Sequence, residues 1–402
     1  MSLLTQASLV LTPTSYKANK LYSVVPSSGS GDLTTTRATT ATRINSSGLV
    51  ENVTTGIPRL DYTNGVANIL LEPQRTNLLL NSVWAGGGTT PTSFTKSFLG
   101  TTTPITSVKN PNVTAYNFNG TSIRGYFYQT QPFTINNVYS LSVYIENVTI
   151  TQAIIDIIAI INATGTSVYY KNNVAISSST NIESGNTYTI VFTATATTTI
   201  SEVRFGLGVN GGTPTGDFTL SMPQLELGSY ATSYIPTVAS TVTRNADLAS
   251  VSGVSSLIGQ TEGVMFIESA ALANDLTDRI ISISDGTTSN RIILYYSTSS
   301  NNIAAAMVSA GTVVIPGISY NVTDETQFAK IAVRYSNTLG VSLWINGVNR
   351  ASSIVTTLPI SMNRFSFDRG TSGSNTFYGK VKSTQLYKTY LTDAEMASLT
   401  TL

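Results

Sequence analysis

Apolar and polar residues alternate one by one along much of this chain, and that period of two restricts the fold more than any other feature. Tyr139–Ile145, Tyr188–Ala196, Val203–Val209 and Asp217–Met222 all alternate, and each run is bounded by Gly, Asn, Pro or Ser. Val264–Glu268, Arg279–Gly286, Arg291–Tyr296, Lys330–Tyr335 and Val341–Arg350 continue the series. Successive side chains of a strand point to opposite faces, so such runs bury one face and wet the other, as in antiparallel sheets packed in pairs. Helical spacing is absent until the end, where Thr392 and Glu395 form a capping box ahead of a short terminal helix. Asn346-Gly347 between two apolar runs predicts a two-residue hairpin, both positions needing positive φ.

The chain has 402 residues, more than one core usually serves. Pro223–Asp247, reading PQLELGSYATSYIPTVASTVTRNAD, looks like a seam: it starts as the tail of a strand, then drifts through Ala, Ser and Thr. The expected fold class is all-β: an extended N-terminal arm over 1–85, one antiparallel sandwich over 86–238, a second over 239–402, and one short C-terminal helix. The arm is expected because residues 1–85 hold only short strand candidates among many turn formers; the other reading makes them an N-terminal strand of the first sandwich. Arg244 and Asp247, the only charges in the approach to the second sandwich, are expected to pin the angle between the two.

Composition narrows the function. Only 11% of residues are charged, against ~25% in ordinary soluble chains, so neutral Ser, Thr, Asn and Tyr cover the surface. Such a surface changes little with salt or pH and suits work outside a cell. A net charge of +1, with Lys and Arg scattered, gives no footprint for nucleic acid. With 0 His and 0 Cys, serine-triad and cysteine–histidine catalysis are excluded, together with the commonest metal ligands. The N-terminal stretch lacks the pattern of a usual signal peptide, and Ala153–Ile161, the longest apolar run, is too short to insert in a membrane.

Short blocks recur in order through the first part of the chain: Arg37–Thr42 with Arg43, Gly48–Glu51, Pro58-Arg59-Leu60-Asp61-Tyr62, and LLEPQRTNLL from Leu70 to Leu79. This series resembles an N-terminal module of tailed-phage virion proteins that precedes jelly-roll domains. The ending Gln224-Leu225-Glu226-Leu227-Gly228, followed by Ser233-Tyr234-Ile235-Pro236-Thr237, is similar to the close of the carbohydrate-binding-module-like jelly rolls that follow the same arm. The last block, with Trp344, Asn346-Gly347 and the terminal helix, resembles concanavalin-like, laminin-G-like domains. The resemblance implies a virion structural protein, a fibre, collar or head decoration, acting as a homotrimer. Its arm would meet other virion proteins, and its outward sandwiches would contact host-surface glycans. Arg37, Arg43, Arg59, Asp61, Glu72 and Arg75 then either clamp the arm at a subunit contact or form an ion-pair network within the chain. A purely structural role and a polysaccharide-degrading role are the alternatives.

Sugar recognition needs aromatic faces beside polar groups, and the chain has 20 Tyr. Tyr126 and Tyr128 share one face of a strand with Arg124, while Phe127 points the other way. Arg291, Tyr295 and Tyr296 are the counterpart in the second sandwich, where one of the two adjacent tyrosines must turn inward. Trp344 is expected in a core, and Trp84 at the arm-to-sandwich junction. No spacing singles out a pair of carboxylates for glycoside hydrolysis, and no catalytic residue or cofactor is assigned. A structural calcium ion, implied by the families resembled, would draw on Asp217, Glu226 and Asp285; ordinary loop acids are the favoured reading.

Overall fold

In the computed structural model, residues 2–97, 100–120, 124–212, 215–355, 357–371 and 373–402 are described. The chain divides into two compact β units, and neither is continuous in sequence: Met1–Thr40, Val53–Pro73 and Ala246–Leu402 build one, Ala41–Asn52 and Gln74–Asn245 the other.

The first unit is a sandwich of two antiparallel sheets. One runs in the order Val348–Ser353, Gly340–Ile345, Ala329–Ser336, Glu262–Ala271, Gly379–Tyr387, Asn68–Leu71 and Arg59–Asp61, with Leu9–Leu11 also paired to Gly379–Tyr387. The other runs Thr312–Asn321, Asn302–Ser309, Arg291–Tyr296, Arg279–Ser284, Arg364–Ser366, Leu248–Ser252 and Thr34–Thr36. Alternation sends Met265, Ile267, Ile331, Val333, Leu343 and Ile345 from the first sheet against Ile281, Ile283, Ile292, Leu294, Ile303 and Phe365 from the second. The hairpin turn carries Asn346 at φ 50° and Gly347 at φ 82°, the pair of positive values that a type I′ turn demands. The helix Asp393–Thr400 opens with the capping box of Thr392 and Glu395. It lays Met396 and Leu399 over Trp344, Phe266 and Tyr387 on the outer side of the first sheet, so Trp344 is core, in a satellite cluster under the helix.

The second unit packs a four-stranded sheet (Thr95–Ser97, Gly125–Phe133, Thr198–Leu207, Ile158–Ile161) on a seven-stranded one. The larger sheet runs Thr101–Thr106, Thr114–Gly120, Gly216–Leu227, Val138–Val148, Asn186–Ala194, Gly165–Lys171 and Val174–Ile176. Trp84 is fully buried in this unit, ringed edge-on by Phe94, Tyr116, Phe127 and Phe205 at 5.6–6.2 Å between centroids. It is a core residue of the sandwich rather than a junction cover.

The expected arm over 1–85 is corrected by this organisation: no stretch of it stands apart. Leu9, Leu11, Leu21, Leu33, Leu60, Ile69 and Leu71 lie in the main core of the first unit, and Leu79 in that of the second. The short strands lacked a core of their own because those in the sandwich, Leu9–Leu11, Thr34–Thr36, Arg59–Asp61 and Asn68–Leu71, join sheets whose other strands come from far along the chain. The expected boundary at 238/239 also moves. Val242–Arg244 pairs with Arg75–Asn77 inside the second unit, and the chain passes to the first unit only after Asn245.

Candidate functional site

The charged residues of the N-terminal blocks, for which a clamp at a subunit contact and a network within the chain were both expected readings, find partners inside the chain. In the first unit, Arg37 donates to Asp247 at 2.8 Å, and Arg59 donates to Glu72 at 2.7 Å and also to Asp247. All four side chains are almost wholly excluded from solvent. The acids hold the Arg59 guanidinium protonated well beyond its ordinary range against the opposing effect of burial. Asp61 accepts from Lys380 at 3.0 Å. Arg37, Arg59, Glu72 and Asp247 thus form one buried ion-pair network within the chain. Arg43 pairs with Glu51 at 2.6 Å in the second unit, and Arg75 lies 5.2 Å from the Tyr230 ring centroid.

The neutral polar residues of the same blocks knit the second unit. The Asn77 side chain accepts from the amides of Leu79 and Leu225 and donates to the Ile235 carbonyl. Gln224 accepts from the Ile235 amide at 2.6 Å, and Thr237 donates to the Leu79 carbonyl at 2.7 Å. Glu226 accepts from the Thr232 amide and hydroxyl, while Arg244 donates to Thr232 and Ser233. Burial raises the Glu226 carboxyl above its usual range, and Arg244 opposes the shift. Arg244 and Asp247, expected to act together, thus serve different units.

The outer face of the four-stranded sheet carries the first candidate set. In Gly125–Phe133, Phe127 points into the core while Tyr126 and Tyr128 share the opposite face, their ring centroids 6.2 Å apart. The neighbouring strand places Arg204 directly opposite Tyr128 and Gly206 opposite Tyr126. The Arg204 guanidinium sits diagonally over the Tyr126 ring, 4.7 Å from its centroid. Gly206 permits this: its φ is +148°, and a Cβ there would fall 2.5 Å from the Tyr126 Cα. Arg204 is held by Glu202, whose carboxylate lies 2.7 Å from Nη2 and 2.8 Å from Nε, and by the Val209 carbonyl, 2.9 Å from Nη1. Ala159 and Ile161 extend the face on its apolar side. Tyr126 is buried beneath this layer, Tyr128 is half-buried at its margin, and Thr130 is exposed beyond it.

Arg124, expected on this face, lies before the strand begins, where its carbonyl accepts from the Gly100 amide. Sequence reasoning passed over Arg204 and Glu202. Their signal was the alternation itself, since Val203 and Phe205 face the core and thereby turn Glu202 and Arg204 outward.

In the first unit the tyrosine pair divides as expected. Tyr296 points into the core with its hydroxyl 3.1 Å from Ser269 Oγ, and Tyr295 turns to the outer face, half-buried. Arg291 shares that outer face at the end of the same strand, opposite Ser284 and Val308, and is almost fully buried. The set therefore reduces to Arg291 and Tyr295.

The acids considered for calcium are not brought together. Asn117 donates to Asp217, Thr232 to Glu226, and Thr287 and Asn290 to Asp285. No group of three metal-ligating side chains occurs among the described residues. Nor is any helix among the described residues long and apolar enough to cross a membrane.

Comparison with known proteins adds the following. Residues 270–397 match the model of the concanavalin A-like lectin/glucanases superfamily, here the third laminin-G family. No curated protein matches. Among solved structures, the carbohydrate-binding module (CBM40) of the Ruminococcus gnavus IT-sialidase bound to α2,3-sialyllactose is similar, at 16% identity and a TM-score of 0.31, over 36% of this chain and 84% of that one. The binding domain of botulinum neurotoxin serotype G is similar at 12% identity and a TM-score of 0.31, over 38% of this chain and 39% of that one. A leech intramolecular trans-sialidase follows at 14% identity and a TM-score of 0.30, over 35% of this chain and 23% of that one.

Proposed function

We propose that this chain is a non-enzymatic glycan-contacting protein, and that the outer face of its four-stranded sheet is the contact. The observation that carries the reading is the layer of Tyr126, Arg204 and Glu202 with Tyr128 at its open margin. The apolar face of a pyranose ring stacks on an aromatic ring, and its hydroxyls exchange hydrogen bonds with a neighbouring guanidinium and carboxylate. Glu202 cancels the charge of Arg204, so this face favours an uncharged sugar. The match of residues 270–397 to a superfamily of lectins and glucanases is in keeping with a saccharide ligand. We further propose the setting suggested by the ordered N-terminal blocks: a fibre, collar or head decoration of a tailed-phage particle, trimeric, exposed outside the host and binding weakly many times over.

Tyr128→Ala tests the contact, because Tyr128 lies at the margin of the layer and outside the main core. Titration with neutral oligosaccharides is expected to show about tenfold weaker binding at an unchanged melting midpoint. Equal affinity in the variant would remove this face as the contact. Release of shorter saccharides on prolonged incubation would make the protein a hydrolase instead. Light scattering of the purified chain is expected to give three times the chain mass, and antibodies to it are expected to label intact tailed particles; a monomer, or unlabelled particles, would overturn the setting.

A further inference from the structure

Taking a guanidinium out of water costs several kcal/mol unless an anion comes with it. The buried arginines of this chain obey that rule with one exception among the described residues. Arg37 and Arg59 have Asp247 and Glu72, Arg279 has Asp275 at 2.5 Å, Arg334 has Asp393 at 2.7 Å, and Arg244 has the field of Glu226. Arg291 is only 6% exposed and has no carboxylate. Its single hydrogen bond is a long one, Nη1 to the Arg369 carbonyl at 3.4 Å, and its Nε is buried with no partner.

The surroundings sharpen the exception. Across the strands Arg291 meets Ser284 and Val308, neither of them an anion. The acid of the adjoining loop, Asp368, is fully engaged: Arg364 donates to both its oxygens at 3.1 and 2.8 Å, and Ser366 Oγ and the Gly370 amide complete its shell. The charge that bears on Arg291 is the exposed Arg369, which has the same sign, and together with burial it lowers the tendency of Arg291 to stay protonated. Arg369, whose carbonyl Arg291 touches, thus brings a second cation near the end of the strand that carries Arg291, with Tyr295 further along that strand.

We infer that Arg291 and Arg369 form an oxyanion-binding site, suited to the carboxylate or sulfate group of a ligand. A planar guanidinium with unused donors presents the fork that such groups fit, and the second arginine supplies a flexible partner. The site lies in a different unit from the tyrosine–arginine layer and does not depend on it.

The test uses the full chain, Arg369→Ala and Arg291→Met, with sodium sulfate, sodium chloride at matched ionic strength, a glucuronate-containing oligosaccharide and its carboxyl-reduced form as probes. Sulfate is expected to raise the melting midpoint saturably above the chloride control. Each substitution should weaken that response at least tenfold, and Arg291→Met without anion should melt higher than the parent because a buried unpaired charge is gone. Sulfate acting no better than chloride, or a response that survives both substitutions, overturns the site. Tighter binding of the acidic oligosaccharide than of its reduced form assigns the oxyanion to a sugar, and binding of sulfate alone assigns it to a free ion; either supports the site itself.

Discussion

Glu325 shows how much one side chain can decide. It is 1% exposed, and neither carboxylate oxygen has a hydrogen bond of good geometry, the nearest donor being the Asn302 amide. Burial pushes its pKa from 4.5 up to about 7, with Asp275 and Asp324 adding to the shift and Arg279 opposing it. The folded chain therefore keeps a proton at this carboxyl between about pH 4.5 and about pH 7, where the unfolded chain has lost it. Stability from this group is complete below the lower value and declines as pH rises through the upper one. Urea midpoints at pH 5 and pH 8 should fall with pH in the parent and fall less in Glu325→Gln, which should also be the more stable at pH 8; parallel curves would dismiss the assignment. Nothing in the sequence around Glu325 announced this, because burial of a loop acid depends on which distant loops close over it. Tyr126 and Tyr128 were legible in direction, since Phe127 between them takes the core face, whereas for Tyr295 and Tyr296 only the division of the pair was legible, not which of them turns inward.

At the level of elements, the hairpin at Asn346-Gly347 and the capped terminal helix were legible because local chemistry specifies them completely. The N-terminal blocks were legible as a set but not in their role. Their charges allowed two readings, a clamp at a subunit contact or pairing within the chain, because Asp247, the partner of Arg37 and Arg59, lies some 200 residues away in the seam, and no local pattern connects them. Asp247 accepts from two arginines and from the Glu72 amide, so removing it strands the buried Arg37 without a carboxylate and leaves Arg59 with Glu72 alone. Asp247→Ala should cost roughly 3–5 kcal/mol, read as a lower denaturant midpoint. Asn245→Ala, at a half-buried neighbour outside this cluster, should cost far less. If the two cost the same, the network is not what holds these strands. The layer around Arg204 was missed for a related reason: cross-strand neighbours become visible only once register is known, here Tyr128 against Arg204.

For the whole molecule, the alternating pattern made two antiparallel sandwiches legible, but not which segments each one owns. Strands at Leu9–Leu11, Thr34–Thr36, Arg59–Asp61 and Asn68–Leu71 complete two sheets whose remaining strands begin at Leu248. Deleting residues 1–40 should therefore leave a chain that loses the melting transition of the first unit or precipitates, since it opens both sheets and takes Leu9, Leu11, Leu21 and Leu33 from one core. A dispensable arm would leave both transitions in place. The interleaving also bears on how the protein is made. Because the chain leaves the first unit after Thr40 and again after Pro73, and returns for good only at Ala246, the early strands emerge from the ribosome long before their partners exist. The inserted unit can close while synthesis continues, whereas the apolar side chains of Leu9, Leu60 and Leu71 must wait, uncovered, until the C-terminal strands arrive. Yield in the cell should then depend on translation rate and on chaperones that shield those early segments.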